Sequence, residues 1–159
     1  MAKSKNQKTD ESPAIAENRQ ARREYEILEQ VEVGIVLVGA EVKSIRSGGI
    51  NLKDSYVRFK QNELFLVGCH IAPYRFARND ELSPTRERKL LLHRREIEKI
   101  IEQIKQKGLS VIPLRVYFKN GHCKLQIGVG KGKKLHDRRE DVKEREAKRT
   151  IQRVMKSQK

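Results

Sequence analysis

Hydrophobic and polar residues alternate along several short stretches of the chain, a pattern typical of strands with one buried face. The clearest alternation covers residues 112–118 and 123–129, on either side of Asn120-Gly121. An Asn-Gly pair between two such stretches is a strong signal for a two-residue hairpin turn. We therefore predict a hairpin here, with Pro113 at an edge or a bulge because proline has no N–H for the ladder.

Three further strands are predicted earlier in the chain. Residues 25–38 alternate as far as Val36, where consecutive apolar residues indicate that both faces are covered. The stretches 51–59 and 63–71 follow, joined by a polar turn at residues 60–62. Together with the hairpin, the chain carries at least five short strands.

Helical patterns appear in three places before the C-terminal tail. Ser12-Pro13 fits an N-cap followed by proline at the first helical position, which predicts a short helix ending near Tyr25. Residues 39–49 predict one or two helical turns. An amphipathic helix that ends at Gly108 is predicted from isoleucines at Ile97, Ile100, Ile101 and Ile104.

This set of elements predicts a mainly β protein with accessory helices. A small antiparallel β-barrel, closed or partly closed, buries such strands, and the oligonucleotide/oligosaccharide-binding fold is the best-known barrel with a helix inserted between its third and fourth strands. Periodicity alone leaves this fold one of a few candidates. We assign the barrel domain to residues 12–130, a disordered arm to residues 1–11 and a flexible basic tail to residues 131–159.

Positive charge is concentrated at the two ends of the chain. The chain has 36 Lys+Arg and 21 Asp+Glu, a formal net charge of +15, and residues 131–159 alone carry twelve bases and five acids. Such a balance favours a polyanionic partner, either nucleic acid or an anionic membrane surface. The plainer alternative is a solvated tail kept for solubility, which the size and position of the excess disfavour.

Several classes of protein are disfavoured by the sequence. No apolar run approaches the ~18 residues of a transmembrane helix, and the polar N-terminus does not fit a secretory signal, so we expect a cytoplasmic protein. Cys69-His70 and His122-Cys123 lie in predicted strands, where neighbours point to opposite faces; we therefore expect reduced core thiols, with no zinc site and no disulfide. No phosphate-loop or hydrolase motif is complete, so we expect neither a cofactor nor an enzyme.

Longer blocks of the sequence carry a family resemblance. The stretches EVKSIRSGGINLKDSYV, PTRERKLLLHRREI and GVGKGKKLHDRREDVKERE closely resemble the SsrA-binding protein family, also called small protein B, and NRQARREYEI fits the same pattern. Together they cover about residues 12–150. One departure is His93, which stands where some members carry asparagine.

The resemblance implies a function in ribosome rescue. It implies binding to the tRNA-like domain of transfer-messenger RNA (tmRNA, or SsrA) and delivery of that RNA to stalled ribosomes for trans-translation. The implied partners are tmRNA, small-subunit rRNA and, in the delivered complex, elongation factor Tu; the protein itself is expected to be a monomer that does not bind membranes.

The resemblance also implies which residues of the body hold tmRNA. Glu32, Leu91 and His93 correspond to family positions that bind the tRNA-like elbow. A carboxylate accepts hydrogen bonds from bases or ribose, a leucine offers an apolar surface to an unstacked base, and an imidazole stacks or hydrogen-bonds. Core packing of Leu91 and an ordinary exposed position for Glu32 are the alternatives. Weaker candidates for phosphate contacts are Asn18, Arg19, Lys43 and Arg46.

The tail has the pattern of a helix with little apolar support. Asp137 and Glu140 have the spacing of a capping box, and acids precede bases by four residues, so we predict a segment that is disordered in the free protein and helical over residues 137–155 when RNA surrounds it. The resemblance implies that this helix enters the vacant messenger channel next to the decoding centre. There the lysines would bind rRNA phosphates, Gly130 and Gly132 would let the chain bend, and His136 would stack on a base. The implied ribosome contacts are Lys131, Gly132, Lys133, Lys134, His136, Asp137, Arg138 and Arg139.

The alternative for the whole protein is a constitutive ribosomal or general single-stranded RNA-binding protein of the same fold. Such proteins stack bases on exposed aromatic rings. The chain has only eight Phe and Tyr residues and no Trp, and several of these, such as Phe118, fall on the apolar face of a predicted strand. General stacking is therefore the weaker hypothesis.

Overall fold

The computed structural model describes residues 13–76 and 82–158. The strands in these ranges are β1 (Ala16–Glu17), β2 (Tyr25–Ile35), β3 (Ile50–Asn51), β4 (Tyr56–Lys60), β5 (Glu63–Val67), β6 (His70–Ile71), β7 (Arg88–Leu91), β8 (Ser110–Lys119) and β9 (His122–Gly132). The helices are α1 (Arg19–Glu24), α2 (Gly39–Arg46), α3 (Arg94–Lys107) and α4 (Leu135–Ser157). The predicted N-terminal arm and Ser12 lie outside the described residues.

Six strands pair with one another in a closed cycle. Neighbouring pairs run β8–β4–β5–β7–β2–β9, and β9 pairs back onto β8. All of these pairings are antiparallel; β1 adds to β8, and β3 and β6 form a separate two-stranded sheet. The prediction of a mainly β protein with accessory helices is therefore confirmed, and its strands form a large antiparallel sheet.

The predicted hairpin is formed by β8 and β9. Asn120 and Gly121 have φ angles of 50° and 76°, as a two-residue turn of type I′ requires at both positions. The register of the pair shifts between Pro113 and Arg115, so Pro113 lies at a bulge. This is one of the two positions predicted for it.

The two strands predicted in the middle of the chain are each broken into two. A turn at residues 52–55, in which Asp54 has a φ angle of 60°, separates β3 from β4, and Gly68, with a φ angle of 77°, separates β5 from β6. A side chain on Gly68 would place its Cβ 3.2 Å from the carbonyl oxygen of Asp54, so the two breaks pack against each other. The predicted turn between the strands, at Gln61 and Asn62, is confirmed.

The helices agree with the predictions except at the N-terminus. α3 ends at Gly108, whose φ of 61° closes the helix, and buries Ile100 in the core. α1, however, begins only after Asn18, because residues 16–17 pair with β8 as β1. The predicted helix start at Pro13 is therefore wrong. Residues 16–17, which the local signal placed in the helix, pair with β8 as a strand instead.

The end of β2 also differs from its prediction. Val36 and Val38 are 43% and 38% exposed, so one face of this segment is open to solvent and the prediction that both faces are covered is wrong. The Val36 N–H donates to the carbonyl oxygen of Lys89 at 2.9 Å, which continues the ladder of β2 and β7 by one residue before α2 begins. The apolar run therefore leaves valine side chains in solvent.

The tail is joined to the sheet before its helix begins. β9 continues to Gly132, which pairs with Tyr25, two residues beyond the predicted end of the barrel domain. The helix α4 begins at Leu135, earlier than the predicted start at Asp137, and ends at Ser157. Disorder of this segment in the free protein stays a prediction.

Within the described ranges, no helix is long and apolar enough to cross a membrane.

Candidate nucleic-acid interface

Glu32 is an exposed carboxylate held from two sides. The Tyr117 hydroxyl donates a hydrogen bond to Glu32 Oε2, and Lys119 Nζ lies 3.6 Å from Glu32 Oε1. Tyr117 is buried in β8, so its hydroxyl reaches the surface from a fixed ring. The carboxylate is therefore oriented before any ligand arrives. Sequence reasoning missed Tyr117 and Lys119, because only the register of the sheet brings them beside β2.

Leu91 is a surface residue and does not belong to the core. Its side chain is 52% exposed, whereas the neighbouring Leu90 is buried. Leu91 pairs with Gly34, and a Cβ on Gly34 would lie only 3.1 Å from Leu91 Cβ. The missing side chain of Gly34 thus leaves room for Leu91 on the outer face of the sheet. Core packing of Leu91, the alternative considered above, is wrong.

His93 is the N-cap residue of α3, and its side chain is exposed. Its backbone N–H donates to Glu96 Oε2 at 3.2 Å. Continuing the antiparallel register by two residues beyond the Gly34–Leu91 pair would place His93 beside Glu32. Glu32, Leu91 and His93 are all exposed around the junction of β2, β7 and α3, and we call this set the β2–β7 face.

Two of the weaker candidates lie on the exposed side of α2. Lys43 Nζ is 5.6 Å from the centre of the Tyr74 ring, and the Arg46 guanidinium carbon is 4.5 Å from the centre of the Phe118 ring. Phe118 is only partly buried, so both cations lie over aromatic surfaces at the edge of the core. Both remain open to solvent, as phosphate-binding side chains must be.

A buried ionic network fixes α2 to the sheet. Arg88 is 1% exposed, and it donates to Glu41 Oε2, to the carbonyl oxygen of Cys69 at 2.9 Å and to that of Pro84 at 3.0 Å. Arg86 donates to the other oxygen of Glu41. Burial alone would raise the pKa of Glu41, but the hydrogen bonds from the two arginines outweigh it and hold the pKa below its ordinary value. The sequence offered no signal for this network.

Asn18 and Arg19 have different surroundings. The side chain of Asn18 is 8% exposed; it accepts from the Ala21 N–H at 3.2 Å and donates to the Pro113 carbonyl oxygen at 3.0 Å. These bonds cap α1 and dock it on β8, so in the free protein Asn18 is a structural residue. Arg19 is exposed and lines a cleft of about 650 Å³ between α1 and α4, together with Arg23, Lys53, Arg138 and Arg145.

The predicted ribosome contacts begin inside the sheet. Lys131 and Gly132 belong to β9, opposite Glu26 and Tyr25. The Lys133 N–H donates to the carbonyl oxygen of Glu24 at 2.7 Å, and Lys133 Nζ lies 3.4 Å from the carbonyl oxygen of Arg22 and forms an ion pair with Asp141. This lysine is therefore engaged within the protein, whereas Lys134 and Arg139 are exposed. His136 and Asp137 lie in the first turn of α4, and their side chains are outside the description.

Gly130 is unsuited to the predicted role as a bend. It lies within β9, and a Cβ at this position would lie 2.1 Å from the carbonyl oxygen of Glu26. Glycine is required here because β2 approaches too closely for a side chain. Gly132 has no atom within 4 Å of its would-be Cβ, so packing does not constrain it.

The cysteines give no sign of reactivity. Cys69 is buried and Cys123 is half-buried, both are free thiols, and burial raises the pKa of each to about 11. Across residues 13–76 and 82–158, no three His, Cys, Asp or Glu side chains are grouped as metal ligands.

Both the sequence and the fold of this chain are similar to those of known proteins. The family model described as SmpB protein matches residues 15–157 of this chain. A solved structure described as "tmRNA-SmpB: a journey to the center of the bacterial ribosome" matches with a TM-score of 0.64 and 43% identity, covering 80% of this chain and 93% of that chain.

Relatives named SsrA-binding protein match almost end to end. The protein of Acetivibrio thermocellus is 52% identical over 147 residues, which cover 92% of this chain and 96% of the relative. That of Thermosynechococcus vestitus is 48% identical and covers 92% and 97%, and that of Staphylococcus aureus is 49% identical and covers 99% of both chains. Because the family model and these relatives span nearly the whole chain, the chain belongs to the SmpB family of SsrA-binding proteins.

Proposed function

We propose that this protein binds the tRNA-like domain of tmRNA through the β2–β7 face and delivers it to stalled ribosomes for trans-translation. The observation that carries the proposal is the 52% exposed Leu91, whose partner Gly34 lies two residues along β2 from the oriented carboxylate of Glu32. An exposed apolar side chain next to a fixed acceptor suits an unpaired loop base, whose ring is stacked and whose amino group donates. The imidazole of His93 extends this surface.

The closed cycle of strand pairings supports a finer description of the fold. Six antiparallel strands that return to their starting strand match a small barrel, and α3 is inserted between two of its strands, β7 and β8, as a helix is inserted between strands of the oligonucleotide-binding fold. On this description the β2–β7 face is the outer wall of an oligonucleotide-binding barrel. Such a barrel supplies a preformed surface and needs no catalytic group.

The tail supplies the second part of the proposed function. α4 has 23 residues and would extend ~34 Å at ~1.5 Å per residue, enough to line a segment of an empty messenger channel. Its exposed bases, together with those of the cleft between α1 and α4, match a path lined by rRNA phosphates. Intact message would exclude the helix, which selects stalled ribosomes without catalysis. We further propose a cytoplasmic monomer that joins elongation factor Tu in the delivered complex.

Two experiments test this function: sequencing of the RNA that co-purifies with the protein, and gel shifts with a tRNA-like fragment. RNA co-purified from cells should be dominated by one structured species, which sequencing identifies. In gel shifts at physiological salt, Glu32→Ala, Leu91→Ala and His93→Ala should each weaken binding of a tRNA-like fragment, by roughly 5- to 100-fold where a base contact is lost. Glu144→Ala is the control, because Glu144 is also an exposed carboxylate paired with a lysine, Lys148, but lies on α4 outside the β2–β7 face.

Two results would contradict the proposal. The first is unchanged binding of the tRNA-like fragment by the three variants combined. The second is efficient displacement of the bound fragment by unrelated single strands, because a protein specific for structured RNA resists this competition. Displacement would favour a general single-stranded RNA-binding protein instead.

A further inference from the structure

Two aromatic rings, the half-buried Tyr74 and the exposed Phe76, lie beside α2, and no role has been assigned to either ring so far. Phe76 is 75% exposed, and its ring centre lies 5.7 Å from that of Tyr74 at an interplanar angle of 67°. Lys43 Nζ, on α2, lies 5.6 Å from the centre of the Tyr74 ring. We define the α2 surface as Lys43, Tyr74 and Phe76.

The segment that carries these rings is fastened to α2. Ser44 Oγ donates to the carbonyl oxygen of Ala72 at 2.6 Å, and the Ala72 N–H donates to the carbonyl oxygen of Gly49 at 2.7 Å. α2 itself is held by the buried Glu41–Arg88 pair. Tyr74 therefore lies two residues from a point that is hydrogen-bonded to Ser44 and to Gly49, which holds the backbone beside the Tyr74 ring against α2.

The chemistry of this surface fits unpaired nucleotides. A phenylalanine with three quarters of its surface in water leaves its ring available to stack on a base. Exposed rings beside cations are the usual means by which proteins stack single-stranded bases and neutralise the adjoining phosphates. Arg46, also exposed on α2, adds a second cation within one helical turn of Lys43.

Its position in the fold determines which RNA it can reach. α2 begins four residues after β2 ends at Ile35, beside the pair Gly34–Leu91, and the exposed Val36 and Val38 lie between them. The tail leaves the sheet at the other end of β2, where Tyr25 pairs with Gly132. Ten strand steps of ~3.3 Å place these ends up to ~33 Å apart. The α2 surface thus adjoins the β2–β7 face and lies away from the tail.

We propose that the α2 surface is a second tmRNA-binding site, at which Phe76 and Tyr74 stack one or two unpaired bases and Lys43 contacts the adjoining phosphate. This proposal rests on the proposed function, because the bound RNA is the one that occupies the β2–β7 face. It adds two aromatic rings next to the β2–β7 face of Glu32, Leu91 and His93.

The test separates stacking from charge by the salt dependence of binding. The full chain is titrated with a tRNA-like tmRNA fragment at several salt concentrations. Phe76→Ala and the double variant with Tyr74→Ala should weaken binding by roughly 5- to 100-fold with an unchanged salt slope, because stacking releases no counterions. Lys43→Ala should lower the slope by about one phosphate contact. Tyr56→Ala is the control: Tyr56 is an aromatic residue on β4 with 47% exposure.

The outcomes distinguish this site from the function on which it rests. If the wild-type chain binds the fragment, Leu91→Ala weakens binding and Phe76→Ala does not, the α2 surface is not a tmRNA site and the proposal is overturned. Loss of ribosome binding alone by Phe76→Ala also overturns it, by assigning the rings to rRNA. If the wild-type chain fails to bind the fragment at all, the proposed function itself is wrong.

Discussion

Lys133 and Asp141 form an ion pair that joins the residue between β9 and α4 to the second turn of that helix. The backbone N–H of the same lysine donates a hydrogen bond to the carbonyl oxygen of Glu24 in α1. When the tail is helical, the side chain predicted to reach rRNA phosphates therefore anchors the start of α4. To reach an rRNA phosphate, Lys133 must first leave Asp141.

Removing this anchor should loosen the start of α4. The hydrogen bond from Lys133 holds the pKa of Asp141 below its ordinary value, so the pair persists at neutral pH and weakens as Asp141 is protonated on acidification. In Asp141→Asn we expect amide hydrogen exchange over residues 135–145 to quicken several-fold. Glu144→Gln is the control, since Glu144 pairs only along the helix with Lys148. Equal exchange in both variants would show that the anchor has no effect.

The tail should be dispensable for tmRNA binding and required for rescue. Because β9 runs to Gly132 and Lys133 is bonded to α1, we place the truncation after Lys134. The shortened chain should bind the tRNA-like fragment within about threefold of wild type, since the β2–β7 face is intact, and should fail to support tagging in a translation assay. If the tail is disordered in the free protein, truncation should reduce the helical circular-dichroism signal by less than the removal of 23 helical residues would.

A second variant separates the helix from its charge. Ala147→Pro preserves every charge of the tail but breaks α4 near its middle, at a helix cost of about 3 kcal/mol. We expect rescue to be lost, as in the truncation. Tagging at the wild-type rate would mean that the tail acts by electrostatics alone.

The Arg88–Glu41 pair should contribute strongly to the stability of the protein, because it fixes α2 to the sheet. Arg88→Met leaves the buried carboxylate with one partner fewer, and breaking a buried pair costs about 3 kcal/mol or more in the free energy of unfolding. Denaturant titration measures this loss. The matched control is Arg58→Met, which breaks the exposed Arg58–Glu87 pair and should cost less than about 1 kcal/mol. Equal losses would contradict the assignment.

Acid should destabilise the protein through the same carboxylate. Because the folded pKa of Glu41 lies below its ordinary 4.5, its contribution is complete above that pH and is lost as pH falls through the folded pKa. Glu29 behaves alike, since hydrogen bonding by Lys99 lowers its pKa. Glu41→Gln and Glu29→Gln should each flatten the pH dependence of unfolding below that value, by up to ~1.4 kcal/mol per pH unit. Slopes identical to wild type would contradict this.

Alanine substitution of two glycines in β9, Gly130 and Gly132, should have different effects on stability. In Gly130→Ala the new Cβ meets the Glu26 carbonyl oxygen, so β2 and β9 must separate, and we expect a loss of about 2 kcal/mol or more in thermal or denaturant unfolding. Gly132→Ala meets no atom within 4 Å and should be near neutral in stability. A tolerated Gly130→Ala would instead support its role as a flexible joint.

Local patterns were enough to predict several elements. The Asn120-Gly121 turn, the end of α3 at Gly108 and the alternation along β2 depend on φ angles and on one buried face, which neighbouring residues determine. The family blocks likewise pointed to Leu91 and Glu32. What these patterns could not show is that Leu91, within a run of leucines, turns outward, because that depends on pairing with Gly34.

Pairing between distant strands decided the rest. β1 forms because β8 supplies partners for residues 16–17, which overrides the local helix signal at Pro13. The Tyr117–Glu32 bond joins residues 85 positions apart, and the bonds of Lys133 to α1 depend on β9 running back along β2.

The sequence by itself therefore determined the class of fold, the family and the basic tail, since periodicity, composition and motif order are local properties of the chain. Only the tertiary structure decided which side chains are exposed, which carboxylates are oriented and which lysine is already engaged. Burial and hydrogen bonding across a sheet depend on register, and register is set by the whole set of strands packing together.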